Sequence, residues 1–328
     1  MSDRATLMDA FLTRHGWPPQ ARRPLAGDAS FRHYHRLADN GRRAVLMDAP
    51  PPQEDVRPFV LIARHLAALG LSTPALLAVD ETAGLLLLED FGDDTFTRLL
   101  DAGTAADDLY ALAIDCVAAL HRLGAAAIPA GLPAYDDQRL LTEALLLTDW
   151  YLPKVTGGRL ADTAREDYAA LWRELFPLAR AMPDTLVLRD FHVDNLMRLP
   201  GRPGVAACGL LDFQDAVAGP LTYDLMSLLE DARRDLDPAL VSAMRRRYLD
   251  AFPALDREAF DLSWTVLAAQ RHAKVIGIFT RLEQRDGKPV YLRHIPRVWH
   301  LLEAALAHPR LGRLKAWLDR HLPAELRR

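Results

Sequence analysis

Apolar and polar positions alternate in the N-terminal part of the chain, a pattern typical of short strands. Residues 31–37 alternate large and polar side chains, and residues 43–47 are mostly apolar. The Asn40-Gly41 pair between them predicts a hairpin, because both residues accept the positive φ of a tight turn. The run Leu85–Leu88 is apolar on both faces, as expected of a central strand. We therefore predict a small, mainly antiparallel sheet in this part of the chain.

Through most of the remaining chain, apolar residues recur at three- and four-residue steps, the spacing of helices that bury one face. The predicted helices cover residues 5–14, 56–69, 109–120, 140–152, 162–181, 223–232, 238–251, 262–282 and 298–307. Two short apolar stretches, 185–188 and 209–212, interrupt this region and are predicted strands. The predicted fold class is α+β, with a sheet-containing lobe over residues 1–90 and a helical lobe over residues 91–328.

Composition and charge narrow the possible function classes. The 328 residues include 40 basic and 44 acidic side chains, and a formal charge of −4 gives no electrostatic footprint for nucleic acid. Cys116 and Cys208 have apolar neighbours, which favours buried thiols over a disulfide or a metal site. The N-terminus does not resemble a signal peptide, and no apolar run is long enough to cross a bilayer. We expect a cytoplasmic monomer without nucleic-acid or membrane partners.

Three polar residues near the two predicted strands suggest phosphoryl transfer. Asp190 and Asn195 follow the first strand, and Asp212 ends the second. Transfer of a phosphoryl group from a nucleotide needs a carboxylate beside the attacking hydroxyl and oxygen ligands for magnesium near the phosphates. Asp190 can play the first role, and Asn195 with Asp212 can play the second. A polar turn with an Asx cap is the alternative interpretation of the loop when it is taken alone.

These residues occur in motifs that resemble a known family. The segment L-R-D-F-H-V-D-N at 188–195 resembles the catalytic loop H-G-D-x-H-x-x-N of the aminoglycoside phosphotransferase-like kinases, and L-L-D-F at 210–213 resembles their metal-binding strand. Asp190, His192 and Asn195 match, whereas Leu-Arg replaces the leading His-Gly. The resemblance covers nearly the whole chain. It implies a two-lobed protein-kinase-like fold with ATP and Mg²⁺ as cofactors, the sheet-containing lobe binding nucleotide and the helical lobe carrying catalysis.

Two further residues, Arg189 and Asp224, have predicted roles at this loop. Arg189 directly precedes the catalytic aspartate, and we expect it to neutralise charge on the transferred phosphoryl group. The segment G-P-L-T-Y-D-L at 219–225 resembles the family's G-[DP]-P-x-x-D-L. The resemblance implies a structural role for Asp224, as a helix N-cap or as a brace for the catalytic loop.

The nucleotide-binding elements depart from the family pattern. The turn G-D-A-S at 27–30 has one glycine where the family has a glycine-rich loop, and Met47 stands where the family has a phosphate-binding lysine. Because the first 150 residues contain no lysine, an arginine has to supply the charge, Arg32 being preferred to Arg43. Residues 87–92 resemble the family's hinge, whose backbone binds adenine. A simple strand-to-helix turn is the alternative interpretation of this segment when it is taken alone. The predicted nucleotide-binding residues are Ser30, Arg32, Met47, Glu89 and Phe91.

A narrower resemblance concerns the acceptor. The segments at 25–32, 45–51, 189–196 and 270–277 together resemble the anomeric sugar kinases that phosphorylate N-acetylmuramate and N-acetylglucosamine in bacterial cell-wall recycling. In that subgroup a methionine at the position of Met47 is expected. The resemblance implies transfer of the ATP γ-phosphate to the anomeric hydroxyl, which yields a sugar α-1-phosphate.

Most candidate acceptor-binding residues lie on two predicted helices, 140–152 and 262–282, and His192 lies in the loop 188–195. Arg271, Lys274 and Arg281 share one helix face and suit a carboxylate or sugar hydroxyls, although a solvated cationic face is the alternative. Trp150 could stack on a pyranose ring or pack in the core. The predicted substrate-binding residues are Glu143, Asp149, His192, Arg271 and Lys274.

Two other functions remain open from the sequence alone. A kinase of another small alcohol, such as an aminoglycoside, homoserine or choline, would keep the same chemistry. The cationic pair Arg271 and Lys274 argues mildly against a polycationic acceptor or choline. A non-catalytic pseudokinase is suggested by the missing lysine, but the presence of Asp190, Asn195 and Asp212 argues against it.

Overall fold

A computed structural model describes residues 4–25 and 31–327. Its strands are β1 (Arg22–Pro24), β2 (His33–Asp39), β3 (Arg42–Asp48), β4 (Leu76–Asp80), β5 (Leu85–Leu88), β6 (Asp184–Val187), β7 (Leu196–Arg198), β8 (Cys208–Leu210) and β9 (Val217–Pro220). Its helices are α1 (Arg4–Arg14), α2 (Arg57–Ala68), α3 (Phe96–Asp101), α4 (Ala106–His121), α5 (Asp137–Ala144), α6 (Leu152–Thr156), α7 (Asp162–Ala179), α8 (Thr222–Leu229), α9 (Pro238–Asp250), α10 (Arg257–Asp286), α11 (Ile295–Leu306) and α12 (Gly312–His321).

The chain forms two compact units. Unit 1 contains the residues up to Cys116 together with Val193–Ala216, and unit 2 contains Val117–His192 together with the residues from Val217 onward. This partition differs from the predicted lobe boundary at residue 90. The β7–β8 hairpin belongs to unit 1 because its backbone forms bridges there, Ser72 to Gly209 and Thr95 to Met197.

Unit 1 is built on a five-stranded antiparallel sheet with the order β1-β2-β3-β5-β4. The predicted hairpin is confirmed: Asn40 and Gly41 have φ values of 50° and 79° where β2 turns into β3. All four residues of β5 are buried, and this strand lies between β3 and β4. One face of the sheet packs on α1 through a cluster that includes Phe11, Leu12 and Leu46. Burial of this cluster fixes which face of β2, β3, β4 and β5 points toward α1.

Unit 2 is mainly helical and is organised around the 30-residue helix α10. Gly277 on α10 faces the backbone of Leu146 so closely that an added Cβ would lie 2.3 Å from its carbonyl carbon. The predicted helix 140–152 is only partly confirmed. Helix α5 ends at Ala144, and a π-helical turn, Leu147–Tyr151, leads into α6.

The two predicted strands that flank the catalytic loop have different partners. Strand β6 pairs with β9 within unit 2, and β7 pairs with β8 within unit 1. The strands β7 and β9 were not predicted, because stretches of three or four residues carry too little periodicity to be recognised.

Cys116 and Cys208 are free, buried thiols. None of the helices within residues 4–25 and 31–327 combines the length and the apolar character that crossing a bilayer requires.

His121 provides a test of the packing in unit 2. Its Nδ1 lies 2.7 Å from the Tyr248 hydroxyl, and burial lowers the pKa of His121 to about 3. Between that value and the unfolded pKa of about 6.5, the unfolded chain binds a proton that the folded chain does not. We expect the free energy of unfolding to fall as the pH decreases through this window, and to fall less steeply in His121→Gln.

Chemical denaturation at several pH values measures this slope. The matched control is His300→Gln, which changes an exposed histidine. Equal slopes for wild type and His121→Gln would contradict a buried, neutral His121.

Candidate active site

The β7–β8 hairpin of unit 1 brings together the two predicted metal ligands. The Leu211 N–H donates to the Asn195 carbonyl at 3.0 Å, directly beside the paired strands. The Asn195 Nδ2 then lies 3.5 Å from the Asp212 Oδ2. Asp212 has a φ of 56°, a conformation that few residues other than glycine adopt, although aspartate tolerates it better than most. The register of the β7–β8 hairpin therefore explains why the side chains of Asn195 and Asp212, 17 positions apart in sequence, lie next to each other.

The donor set of this pair fits magnesium. Among the residues that the structure describes, no group of three or more His, Cys, Asp or Glu side chains could form a protein-only metal cage. Mg²⁺ is typically held by one or two carboxylates, with waters and substrate phosphates completing its shell. One carboxylate and one amide are thus appropriate for a metal that nucleotide phosphates also coordinate.

Arg32, the preferred substitute for the missing lysine, lies beside this pair. Its Nη2 is 3.3 Å from the Asp212 Oδ1, and its Nε is 3.8 Å from the Glu54 Oε2. Burial by itself lowers the pKa of Arg32, but a neighbouring phenol and the two carboxylates raise it above its ordinary value. Arg32 is therefore a permanent cation beside Asp212. Ser30 and the rest of the turn 27–30 lie outside the described residues.

The remaining predicted nucleotide residues occupy β3 and the segment after β5. Met47 is buried and pairs with Tyr34 and Leu86 in the sheet. The Glu89 N–H donates to the Ala75 carbonyl at 2.9 Å, so this amide is already used within unit 1 and is not a donor for adenine.

The segment that follows β5 is held by two arginines. Arg36 lies 2.9 Å from the buried Asp90 carboxylate and donates at 2.8 Å to the Gly92 carbonyl. Arg202 pairs with the Glu89 carboxylate at 2.5 Å, and its guanidinium lies 5.1 Å from the centre of the Phe91 ring. These contacts give the predicted hinge a defined conformation.

In unit 2, the catalytic loop is held by Asp224. The carboxylate of Asp224 accepts hydrogen bonds from the backbone N–H groups of Leu188 and Arg189, at 2.6 and 2.9 Å. Burial raises the pKa of Asp224 to about 7, although both N–H groups favour its ionised form. Leu221, not Asp224, is the N-cap of α8. The structure therefore supports the brace role and not the capping role.

This brace sets the position of Asp190. Arg189 has a φ of 68°, and the Asp190 N–H donates back to the Leu188 carbonyl at 2.9 Å. A bulky residue in the left-handed region costs about 1–2 kcal/mol, so other contacts must compensate. The two hydrogen bonds to Asp224 are such contacts, and they place the Asp190 carboxylate at a sharp turn after β6.

Three predicted residues, Glu143, Arg189 and Lys274, lie near one another in unit 2, with Glu143 at the centre. The Glu143 carboxylate pairs with the Arg189 guanidinium and lies 3.0 Å from the Lys274 Nζ. It also accepts hydrogen bonds from the Tyr135 hydroxyl and, at 3.2 Å, from the Gln270 Nε2. We refer to Glu143, Arg189, Lys274, Tyr135 and Gln270 as the Glu143 cluster.

The Glu143 cluster is buried and has an excess of positive charge. The side chains of Glu143 and Lys274 are 13% and 12% exposed. Burial alone raises the pKa of Glu143, but Lys274 and Arg189 outweigh it and hold that pKa below its usual value. One carboxylate therefore faces two cations, so this cluster is not the acidic cleft that a polycationic acceptor would require.

The other predicted acceptor residues have separate environments. Arg271 is only 5% exposed, and its electrostatic neighbours include Asp224. The alternative of a solvated cationic face is therefore wrong for Arg271 and for Lys274. His192 is buried, and its Nε2 lies 3.5 Å from Nη1 of Arg233.

Asp149 does not join the Glu143 cluster. Its carboxylate forms a two-pronged pair with Arg165, at 2.8 and 2.9 Å. Together with Trp150 they line a cavity of about 380 Å³, whose lining residues include none of the Glu143 cluster. The structure thus separates Glu143 and Asp149, which the sequence analysis assigned to one acceptor pocket.

Tyr135 and Glu54 were not predicted from the sequence. Tyr135 precedes Glu143 by eight residues and has no motif of its own. Glu54 lies in the proline-rich segment after β3, where a solvated carboxylate is the ordinary interpretation. Only their tertiary contacts with other charged or polar groups identify them.

Comparison with known proteins assigns the family. The model described as "Phosphotransferase enzyme family" matches residues 21–260. The chain belongs to the phosphotransferase enzyme family. The segments 188–195 and 210–213, which resemble that family's catalytic loop and metal-binding strand, both lie within the matched residues.

Curated relatives of this phosphotransferase match over nearly their full length. The N-acetylmuramate/N-acetylglucosamine kinase of Caulobacter vibrioides is 39% identical and covers 100% of this chain and 99% of its own. The protein of the same name from Pseudomonas aeruginosa is 40% identical, over 91% of this chain and 89% of its own.

Solved structures confirm the fold class. A choline/ethanolamine kinase family protein from Mesorhizobium loti superimposes with a TM-score of 0.63 at 15% identity, covering 97% of this chain and 100% of its own. The GDP complex of aminoglycoside 2'-phosphotransferase-IIIa gives a TM-score of 0.62 at 16% identity, covering 94% of this chain and 99% of its own. The phosphotransferase therefore has the α+β, protein-kinase-like fold of these kinases. At such low identity the similarity concerns the fold alone.

Arg189 offers a test that separates charge from backbone strain. Arg189→Ala and Arg189→Gly both remove the guanidinium, but only glycine adopts a φ of 68° without a Cβ penalty. We expect Arg189→Gly to be more stable than Arg189→Ala by about 1 kcal/mol in chemical denaturation. If the guanidinium stabilises the transferred phosphoryl group, kcat should fall to a similar extent in both variants. A kcat within twofold of wild type in either variant would exclude that role.

Proposed function

We propose that this phosphotransferase transfers the γ-phosphate of ATP to the anomeric hydroxyl of N-acetylmuramate and N-acetylglucosamine, forming the α-1-phosphates in peptidoglycan recycling. The observation that carries the proposal is the 39% identity with the Caulobacter vibrioides kinase of that name over the whole chain. The four motif segments quoted above, including the methionine at position 47, support the same acceptor.

Asp190 is the proposed catalytic base. Its carboxylate orients the acceptor hydroxyl and accepts the proton late in the reaction. An anomeric hydroxyl is more acidic than an ordinary alcohol, which favours transfer of its proton to a carboxylate. The brace from Asp224 to the loop backbone restricts where the carboxylate can lie, and such positioning is a main source of rate enhancement in phosphoryl transfer.

Asn195 and Asp212 are the proposed magnesium ligands. Magnesium bound there would neutralise charge on the nucleotide phosphates. Arg32 is the proposed phosphate-binding cation, and Ser30 and the segment containing Met47, Glu89 and Phe91 are proposed to contact the nucleotide. For Glu89 this leaves the carbonyl, because its N–H is already bonded to Ala75.

The charges of the Glu143 cluster and of Arg271 support an acidic or neutral sugar as the acceptor. The Glu143 cluster has one carboxylate against two cations, and the buried Arg271 adds a third positive charge on the same helix as Lys274. Guanidinium and ammonium groups suit the lactyl carboxylate of N-acetylmuramate and the hydroxyls of either sugar. We propose that Lys274 and Arg271 serve this purpose, with His192 as a further contact and Glu143 as the group that positions Lys274. Asp149, which lines a separate cavity with Arg165, is not included among these contacts.

A nucleotide-consumption assay over a small panel of acceptors tests the proposal. The panel contains N-acetylmuramate, N-acetylglucosamine, an aminoglycoside, choline and homoserine, and ³¹P NMR identifies the product. We expect turnover with the two amino sugars and an α-1-phosphate as product. If only one of the other three acceptors were phosphorylated, the proposed substrates would be wrong and that acceptor would take their place. Binding of Mg-ATP in a thermal shift assay without turnover on any acceptor would indicate a pseudokinase.

Two properties complete the proposal. We infer a cytoplasmic location, because ATP and the sugars released by cell-wall recycling meet there. We also infer a monomer, which sedimentation analysis at micromolar concentration can test.

A further inference from the structure

The proposed metal ligand Asp212 is already contacted by donors from its own unit. Its Oδ1 accepts a hydrogen bond from the Gln214 Nε2 at 2.9 Å and lies 3.3 Å from the Arg32 Nη2. Its Oδ2 faces the Asn195 Nδ2 at 3.5 Å. A metal ion needs lone pairs of the same carboxylate, and it is repelled by a guanidinium at that distance. Arg32 thus lies where it competes with a divalent cation.

Arg32 has a second anchor that does not involve the metal ligands. Its Nε lies 3.8 Å from the Glu54 Oε2, and the other oxygen of Glu54 accepts from the Phe31 N–H at 3.2 Å. The side chains of Arg32 and Glu54 are 13% and 20% exposed, so both are largely shielded from water. Glu54 can therefore hold the guanidinium near the site after Arg32 has moved away from Asp212.

We propose that Arg32 is an internal counter-ion of Asp212 that the nucleotide phosphates draw away, so that magnesium enters this site together with the nucleotide and not before it. The inference rests on the proposed magnesium role of Asp212 and deepens it. Before the nucleotide binds, the Arg32 charge balances the Asp212 carboxylate. When phosphates are present, the guanidinium has a new anionic partner with better bidentate geometry, and the carboxylate becomes available to the metal.

This arrangement also follows from the sequence departure at Met47. A lysine at position 47 would stand on β3, next to the last residue of that strand. Arg32 instead directly precedes β2, on the residue next to Phe31, whose N–H is bound by Glu54. One cation can therefore serve Asp212 and the phosphates in turn, with Glu54 as its positioning residue.

Metal binding without nucleotide provides the decisive test, with Mn²⁺ as the probe in EPR titrations. We expect Arg32→Gln to bind Mn²⁺ about three- to tenfold more tightly than wild type, because the competing cation is gone. In calorimetry, the same variant should bind Mg-ADP at least about tenfold more weakly, because the phosphates lose a charge-assisted partner. The two affinities are thus expected to change in opposite directions.

Matched variants separate this inference from a general loss of structure or charge. Arg42→Gln removes an arginine–aspartate pair from the same sheet, where Arg42 bonds Asp39 at 3.0 Å, and should change neither affinity. Arg32→Lys keeps the positive charge and should keep weak Mn²⁺ binding. Circular dichroism confirms that each variant is folded.

Two results would overturn the inference. Mn²⁺ binding to Arg32→Gln that is unchanged or weaker would show that Arg32 does not compete at Asp212. Unchanged Mg-ADP affinity would show that the phosphates do not engage Arg32. Neither measurement uses a sugar or requires turnover, so failure of the proposed sugar kinase activity would be recognised separately.

Discussion

Replacing Asp190 with asparagine is expected to lower kcat by about 10²- to 10⁴-fold, the usual contribution of a positioned general base. The asparagine has nearly the same shape and leaves the hydrogen bonds from the Leu188 and Arg189 backbone to Asp224 in place. Its amide cannot accept the proton of the acceptor hydroxyl. Because Asp190 has no proposed contact with the nucleotide, the affinity for Mg-ATP should be nearly unchanged. Steady-state kinetics and calorimetry measure the two quantities.

The loop itself offers a matched control. Asp194→Asn makes the same chemical change four residues later, at a carboxylate that accepts a hydrogen bond from the Thr97 hydroxyl. We expect it to keep kcat within a few-fold of wild type. Near-normal turnover of Asp190→Asn would remove this residue from the mechanism, and an equal loss in both variants would indicate a disturbed loop rather than a lost base.

Glu143→Gln is expected to lower the free energy of unfolding by about 3–5 kcal/mol, the range measured when one partner of a buried ion pair is removed. The substitution keeps the size of the side chain but leaves Arg189 and Lys274 without the carboxylate that compensates both. The KM for the sugar should also rise, because Lys274 and Arg189 lose the group that positions them. Denaturation with urea measures the first effect, and acceptor titration measures the second.

A surface pair in the same unit provides the comparison. Glu283 lies 2.9 Å from the Lys154 Nζ, with side chains that are 30% and 29% exposed. Glu283→Gln should therefore cost less than about 1 kcal/mol. The double variant Glu143→Gln with Lys274→Met should recover part of the lost stability, since it also removes one of the uncompensated charges. No recovery would mean that Lys274 and Glu143 are not energetically coupled.

Local sequence predicted the elements whose signals are short-range. The β2–β3 hairpin follows from Asn40-Gly41, because the positive φ values of this turn suit only a few residues. The central position of β5 follows from a run that is apolar on both faces. In contrast, the predicted helix 140–152 contains a π-helical turn at Leu147–Tyr151, and its apolar spacing gives no sign of this interruption. Gly277, which packs against the Leu146 backbone in this region, is more than 100 residues away from it in sequence.

In the candidate site, too, some residues were predictable from the sequence and others were not. The motifs predicted Asp190, Asn195 and Asp212, because their roles depend on residue type and on position relative to short strands. Comparison confirmed the family to which those motifs belong. The partners of the charged residues were not predictable. Glu143 was expected to bind sugar hydroxyls directly, whereas the structure makes it the shared counter-ion of Arg189 and Lys274, 46 and 131 residues away.

By itself, therefore, the sequence predicted the fold class and the phosphotransferase family, which the comparisons confirm, and it supplied the proposed base and metal ligands. Each of these depends on periodicity or on residues that are close along the chain. Only the tertiary structure decided how the charges are balanced: Arg32 with Asp212 and Glu54, the loop backbone with Asp224, and Glu143 with two cations. Burial makes an unpaired charge costly, and which residues satisfy that requirement depends on the packing of distant elements, which a local pattern does not record.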